Sequence, residues 1–156
     1  MPTLPSHSPA EDALEPGADA IVLFDGECGL CQGSVNWMLA RDRQRTLRYA
    51  PLQGETARAI LERHGKDPTV LSGMWLCEYP HTPRERLLHR SDAALASLRH
   101  LGGFWRVLSW ARFIPSALRN WVYGIIARNR YKWFGKKEAG SACSLGTPEQ
   151  RKMILP

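Results

Sequence analysis

Residues 21–39 read IVLFDGECGLCQGSVNWML. An apolar, β-rich run, AIVLF at 20–24, stops at Asp25 and Gly26. Cys28 and Cys31 follow with two residues between them, and then Val35, Met38 and Leu39 recur at helical spacing. A continuous apolar run of this length predicts a strand buried on both faces, as in the centre of a sheet. The spacing after it predicts a helix from about Cys28 to about Asp42. A pair of thiols therefore stands at the mouth of a helix, directly after a central strand.

Outward from this point the pattern alternates. LRYAPL (47–52) predicts a second strand ended by Pro51, and Ala57, Ile60 and Leu61 mark a second helix closed by Gly65. MWLCEY (74–79) and ERLLHR (85–90) predict two short strands joined through PHTP as a hairpin. Ser91 is a suitable N-cap for DAALASLRHL, whose helix ends at Gly102-Gly103. The order β-α-β-α-β-β-α is that of a thioredoxin-like α/β domain. Right-handed crossover makes the first two strands parallel, and the cysteines lie at the carboxyl end of the first.

The chain continues with GFWRVLSWARFI and PSALRNWVYGIIARNRYKWFG, two further helices separated at Pro115, which suits the first turn of the second. Leu118, Val122 and Ile125 keep a helical spacing there. TPEQ at 147–150 is a capping box, with Thr147 as cap and Gln150 three residues on. The expected organisation is a flexible tail at 1–19, a thioredoxin-like core at 20–103 and a helical C-terminal extension at 104–156 packed on the same domain. The first residues lack the basic and apolar regions of a secretory signal, and no apolar run reaches a membrane-spanning length. A cytoplasmic location is the expectation.

The 156 residues suffice for one core, and the formal net charge is +6. From Ala93 to Lys137 there is no acidic residue, while nine Arg and Lys fall there. A solvated basic face accounts for this. The alternative is a weak contact with an acidic partner or a membrane surface, and no nucleic-acid motif supports a role there. The six tryptophans are expected to fill the core and the helix interface. Trp105, Trp110, Trp121 and Trp133 lie among basic residues, which keeps a membrane-surface role for these helices as an alternative.

The chemistry expected of the pair is thiol-disulfide exchange. A helix N-terminus stabilises a thiolate on its first cysteine, so Cys28 is the expected nucleophile and Cys31, less exposed, the resolving thiol. The competing reading is a non-catalytic zinc-binding module. It needs two further ligands at matched spacing, and neither a second CxxC nor an HxxxH is present. No metal and no organic cofactor are expected. Asp25 reads either as a proton relay for Cys31 or as an Asx turn with Gly26. Glu27 places a carboxylate beside Cys28 that opposes thiolate formation. Cys77 reads as an inert core cysteine, and His64 and His100 as helix C-terminal residues. Cys143 reads either as a bland loop thiol or as a third redox cysteine.

FDGECGLC resembles the signature of the DCC family of predicted thiol-disulfide oxidoreductases, named for an Asp followed by two cysteines. APLQ (50–53), SDAAL (91–95), LGG (101–103) and IARNRYKWFG (126–135) with a later Cys resemble that family in the same order, from about Ile21 to Met153. The resemblance implies a thioredoxin-like fold and exchange with a disulfide-containing protein or small thiol. It raises Cys143 as an auxiliary residue. The chain departs from thioredoxin itself in having no proline directly before the third strand; Pro68 is the nearest, six residues ahead of Met74.

Overall fold

The computed structural model describes residues 18–69, 73–136 and 146–155. Its elements are β1 (Ala20–Phe24), α1 (Gly29–Arg41), β2 (Leu47–Pro51), α2 (Glu55–Arg63), β3 (Trp75–Glu78), β4 (Arg86–His89), α3 (Ser91–Leu101), α4 (Gly103–Leu108), a 3₁₀ turn (Ser109–Phe113), α5 (Ser116–Phe134) and a last 3₁₀ turn (Gln150–Met153). The fold is a thioredoxin-like β-α-β-α-β-β-α core followed by additional C-terminal helices.

The sheet runs β2-β1-β3-β4, with β1 parallel to β2 and antiparallel to β3, and β3 antiparallel to β4. β1 is central and wholly buried, as its unbroken apolar run requires. Alternation along it divides the core. Ala20, Val22 and Phe24 pack with Val35, Met38 and Leu39 of α1 and Ala93 and Ala96 of α3. Ile21 and Leu23 pack with Ala57, Ile60 and Leu61 of α2 on the opposite face, where Cys77 is also buried.

The reciprocal hydrogen bonds of the expected capping box form, but the 3₁₀ turn that follows begins at Gln150, with Glu149 and not Thr147 at its N-cap position. Gln150 Oε1 accepts from the Thr147 N–H at 2.9 Å, and Thr147 Oγ1 accepts from the Gln150 N–H at 3.3 Å. Residues 150–155 are tied to the core beside it. Gln150 Nε2 donates to Leu39 O at 3.2 Å, and the Leu155 N–H donates to Tyr49 O at 2.6 Å. Met153 and Leu155 then enter the two core clusters, one each.

Several expectations are corrected. Ser91 is the first residue of α3, not its cap; Arg90, at φ 56°, holds the N-cap position without a side-chain hydrogen bond. The Ser91 hydroxyl is drawn to α5, where it donates to Asn120 Oδ1 at 2.6 Å and accepts from Arg119 at 3.1 Å. Pro115 precedes α5 as its N-cap. His64 and His100 do more than face a helix end: each meets a carboxylate, Glu85 at 2.7 Å and Glu78 at 2.9 Å. The tryptophans do not all fill the core. Trp37 and Trp105 pack edge-to-face at 4.5 Å, and Trp75 stacks on His89 at 3.7 Å, but Trp110, Trp121 and Trp133 are exposed.

The C-terminal end of α5 docks on the start of α1. The Gly29 N–H donates to Gly135 O at 3.2 Å, and Cys28 forms an antiparallel bridge with Lys136. A Cβ at position 29 would stand 2.4 Å from Phe134 O and 3.3 Å from Gly135 O, both backbone atoms. Gly29→Ala separates two effects of opposite sign. Helix propensity alone favours alanine by about 0.5–1 kcal/mol, whereas forcing two backbones apart costs about 1–3 kcal/mol. Urea denaturation is expected to show a net loss of stability, accompanied by faster alkylation of Cys28 as the docked segment is displaced. A gain in stability would show that the close approach is not maintained in solution.

Candidate functional site

The site begins with the end of β1. Asp25 is buried, and the chain turns sharply between it and α1. Asp25 Oδ1 accepts from the Glu27 N–H at 2.9 Å, which is the Asx turn read from the sequence. Gln53, just past β2, ties this turn twice: its Nε2 donates to Asp25 Oδ1 and its Oε1 accepts from the Gly26 N–H, each at 3.0 Å. Gln32 Nε2 donates to Gly26 O at 2.6 Å from one turn into α1. The loop is thus fixed on both sides before the cysteines are reached.

Cys28 is the N-cap of α1, and its sulfur accepts from the Cys31 N–H at 3.5 Å. A thiolate there takes up one of the helix's unsatisfied donors. The Cys31 thiol hydrogen-bonds the Cys28 sulfur and contributes most to lowering its pKa. Burial opposes this, while the backbone N–H groups of Cys31 and Leu30 and the Arg130 guanidinium add to it. The outcome is a Cys28 pKa lowered to about 6. The same hydrogen bond, burial and the neighbouring negative charge of Cys28 push Cys31 strongly upward. The pair is an acidic thiol beside one that holds its proton.

Exposure reverses the expected order. Cys28 has no accessible surface, because the backbone at Lys136 lies across it, whereas Cys31 is half-buried. Cys31 opens into an apolar cavity of about 160 Å³ lined by Phe24, Val35, Met74, Tyr123 and Ile126, among others. Met74 occupies the place just before β3, and its N–H donates to Tyr123 Oη at 2.9 Å. The residue directly before β3 is thus a methionine, anchored from α5.

α5 also brings Arg130 and Tyr131, which sequence reasoning did not name as site residues. Arg130 is buried. Its Nη2 donates to Asp25 Oδ2 at 3.1 Å, and its Nη1 lies 3.9 Å from the Cys31 sulfur. The Tyr131 hydroxyl also donates to Asp25 Oδ2. Burial alone would raise the Asp25 pKa, but hydrogen bonds from Tyr131, the Glu27 N–H and Gln53, with the charge of Arg130, hold it below the usual carboxylate range. Burial and the hydrogen bond to Asp25 push Tyr131 up to about 12. Asp25 accepts from four donors, and the Asx turn read from the sequence is formed.

Glu27 is balanced by Lys136, whose Nζ lies 3.3 Å from its carboxylate, so the expected opposition to the Cys28 thiolate is offset. Cys77 is buried and its thiol is pushed up to about 12, chiefly by burial, in keeping with a core cysteine. Cys143 lies outside the described residues. Among the described residues, the one group of three metal-ligating side chains is His64, Cys77 and Glu85; neither Cys28 nor Cys31 belongs to such a group. Glu85 there is already clamped by Arg63 through two contacts of 2.9 Å. Arg130 beside Cys31 likewise sets a positive charge where a zinc ion would have to bind.

Residues 22–136 match the family described as "DCC1-like thiol-disulfide oxidoreductase". The uncharacterized protein YuxK of Bacillus subtilis is 35% identical over 136 residues, which span 87% of this chain and 93% of YuxK. A chloroplastic DCC family protein of Arabidopsis thaliana is 32% identical over 120 residues, 76% of this chain and 67% of that protein. No solved structure matches. With a matched span that runs from β1 through the α5 residues gathered around Asp25, the chain belongs to the DCC1-like family.

Proposed function

We propose that the protein is a thiol-disulfide oxidoreductase in which Cys28 is the nucleophile and Cys31 the resolving thiol. The observation that carries this reading is the asymmetry of the pair: Cys28 caps α1 with a pKa of about 6 while Cys31 retains its proton. Once the backbone at Lys136 has moved off Cys28, the Cys28 thiolate attacks one sulfur of a substrate disulfide; a Cys28–substrate S–S bond forms, the substrate S–S bond breaks, and one substrate thiolate leaves. That thiolate takes the Cys31 proton. Cys31 then attacks the Cys28 sulfur, the Cys28–Cys31 disulfide forms, and the second substrate sulfur leaves as a thiolate. The protein dithiol is oxidised by two electrons and the substrate disulfide is reduced.

Arg130 supports both halves of this cycle. It stabilises the Cys28 thiolate before attack and the Cys31 thiolate as its proton departs, at 3.9 Å from that sulfur. Asp25 and Tyr131 act as positioning residues that hold the guanidinium in place. Cys143 is assigned at most an auxiliary part, since the two steps balance without it. The substrate class is a disulfide-bearing protein or small molecule.

In an insulin-reduction assay driven by dithiothreitol, Cys28→Ser is expected to abolish the catalysed rate. Cys31→Ser should accumulate a mixed disulfide on Cys28, seen as added mass removable by reductant. Accumulation of the mixed disulfide on Cys31 in Cys28→Ser, with loss of turnover in Cys31→Ser and no adduct on Cys28, would reverse the assignment.

The pH dependence follows from the direction of the shift. The Cys28 pKa is depressed from the ordinary thiol range to about 6, so alkylation should rise as pH passes through about 6 and level off above it. Iodoacetamide kinetics on the reduced protein measure this. A midpoint at the free-thiol value would remove the helix-end argument.

Arg130→Met should raise that midpoint, because a positive charge that favours the thiolate is lost. Arg130→Lys should recover part of the shift. A merely structural role for Arg130 would lower stability and leave the midpoint of the folded fraction unmoved.

A further inference from the structure

Among the described residues, the exposed large apolar side chains all fall between Phe104 and Phe134. They include Phe104, Trp110, Phe113, Trp121 and Trp133, each more than half exposed. They occupy three consecutive elements, α4, the 3₁₀ turn and α5. Isolated exposed apolar residues need no explanation, but here every exposed large apolar side chain among the described residues comes from one segment, and that confinement is what calls for a partner. Over the same segment the charged residues are all basic. Arg119 pairs with Asp92, and Arg130 serves the cysteine site. Arg106, Arg112, Arg128 and Lys132 are exposed, interleaved with the aromatics as in Trp110-Ala111-Arg112-Phe113 and Lys132-Trp133-Phe134.

We infer that the α4–α5 segment is a docking surface for an anionic lipid bilayer, on which the protein lies peripherally. Aromatic rings enter the headgroup boundary, while Arg and Lys beside them meet lipid phosphates. No helix among the described residues is long and apolar enough to cross a membrane, so the contact is a surface one. A second copy fits poorly, because an isologous contact would set this acid-free basic segment against itself. An acidic protein shares the charge complementarity. The aromatics here are spread over three elements and spaced by cations instead of gathered around one pocket, which suits a deformable surface better than a fixed partner. The segment also adjoins the cysteines. Ile126 lines the cavity beside Cys31, and Phe134 lines a neighbouring cavity of about 460 Å³. The consequence, resting on the exchange activity proposed above, is that the disulfides presented to the pair are held at a membrane surface.

The test is flotation of the full chain with vesicles of phosphatidylglycerol and phosphatidylcholine against vesicles of phosphatidylcholine alone, with insulin reduction measured on every variant. Binding to the anionic vesicles that weakens about tenfold or more on raising salt supports the inference. Trp110→Ser with Phe113→Ser and Trp121→Ser should lose binding while keeping solution activity, as should Arg106→Gln with Arg112→Gln and Arg128→Gln. Equal binding to both vesicle types, or none to either, overturns it. So does a salt-sensitive complex with polyglutamate without vesicle binding, which would point to an acidic protein, or a dimer that these substitutions dissolve. Vesicle binding by a protein without insulin reduction would leave the docking surface standing and remove the exchange activity instead.

Discussion

Arg130 and Asp25 lie 105 residues apart in sequence and form one buried ion pair. Removing one partner of such a pair costs about 3–5 kcal/mol, because the remaining charge stays out of water. Here the pair joins the end of the central strand to the last long helix. Gln53 and the Glu27 N–H complete the carboxylate from the core side, and Tyr131 completes it from α5. The helical extension is therefore part of the site. Its end fixes the register in which Gly135 meets Gly29 and Lys136 meets Cys28.

The electrostatics of the cysteines follow from that arrangement. A helix N-terminus alone would favour a thiolate on Cys28. Asp25, also nearby and negative, helps to keep Cys31 protonated, and Arg130 pulls both thiols the other way. With carboxylate and guanidinium paired, the local charge is nearly cancelled, and the difference between the sulfurs comes mainly from their mutual hydrogen bond. Glu27 and Lys136 repeat the cancellation at the more exposed rim.

The fold was legible because its signals are local. The apolar run at β1, the helical spacing of Val35, Met38 and Leu39, the glycine ending α2 and the capping box at Thr147 each need only a few consecutive residues. The cysteine pair and Asp25 were legible for the same reason. Gln53, Met74, Arg130 and Tyr131 were not identified from the residues, since nothing near Arg130 says that it reaches Asp25. APLQ and IARNRYKWFG did stand out as segments of the family resemblance, and the first contains Gln53 and the second Arg130 and Tyr131. The burial order of the cysteines was misread because helix geometry cannot foresee Lys136 crossing over Cys28. Ser91 was misread because α5 offered its hydroxyl stronger partners than the backbone of its own helix.

The chain's last described residues bear on how another polypeptide can approach. β2 is an outer strand, and its free side would present unpaired N–H and C=O groups to any extended peptide. Ile154 bridges to Tyr49 in parallel, and the Leu155 N–H takes the Tyr49 carbonyl. The middle of that edge is closed by the chain itself, with Met153 and Leu155 rooted in opposite halves of the core. Adding a foreign strand there would require withdrawing two buried side chains, so sheet extension at β2 is blocked, both as a route for visiting peptides and as a seed for aggregation.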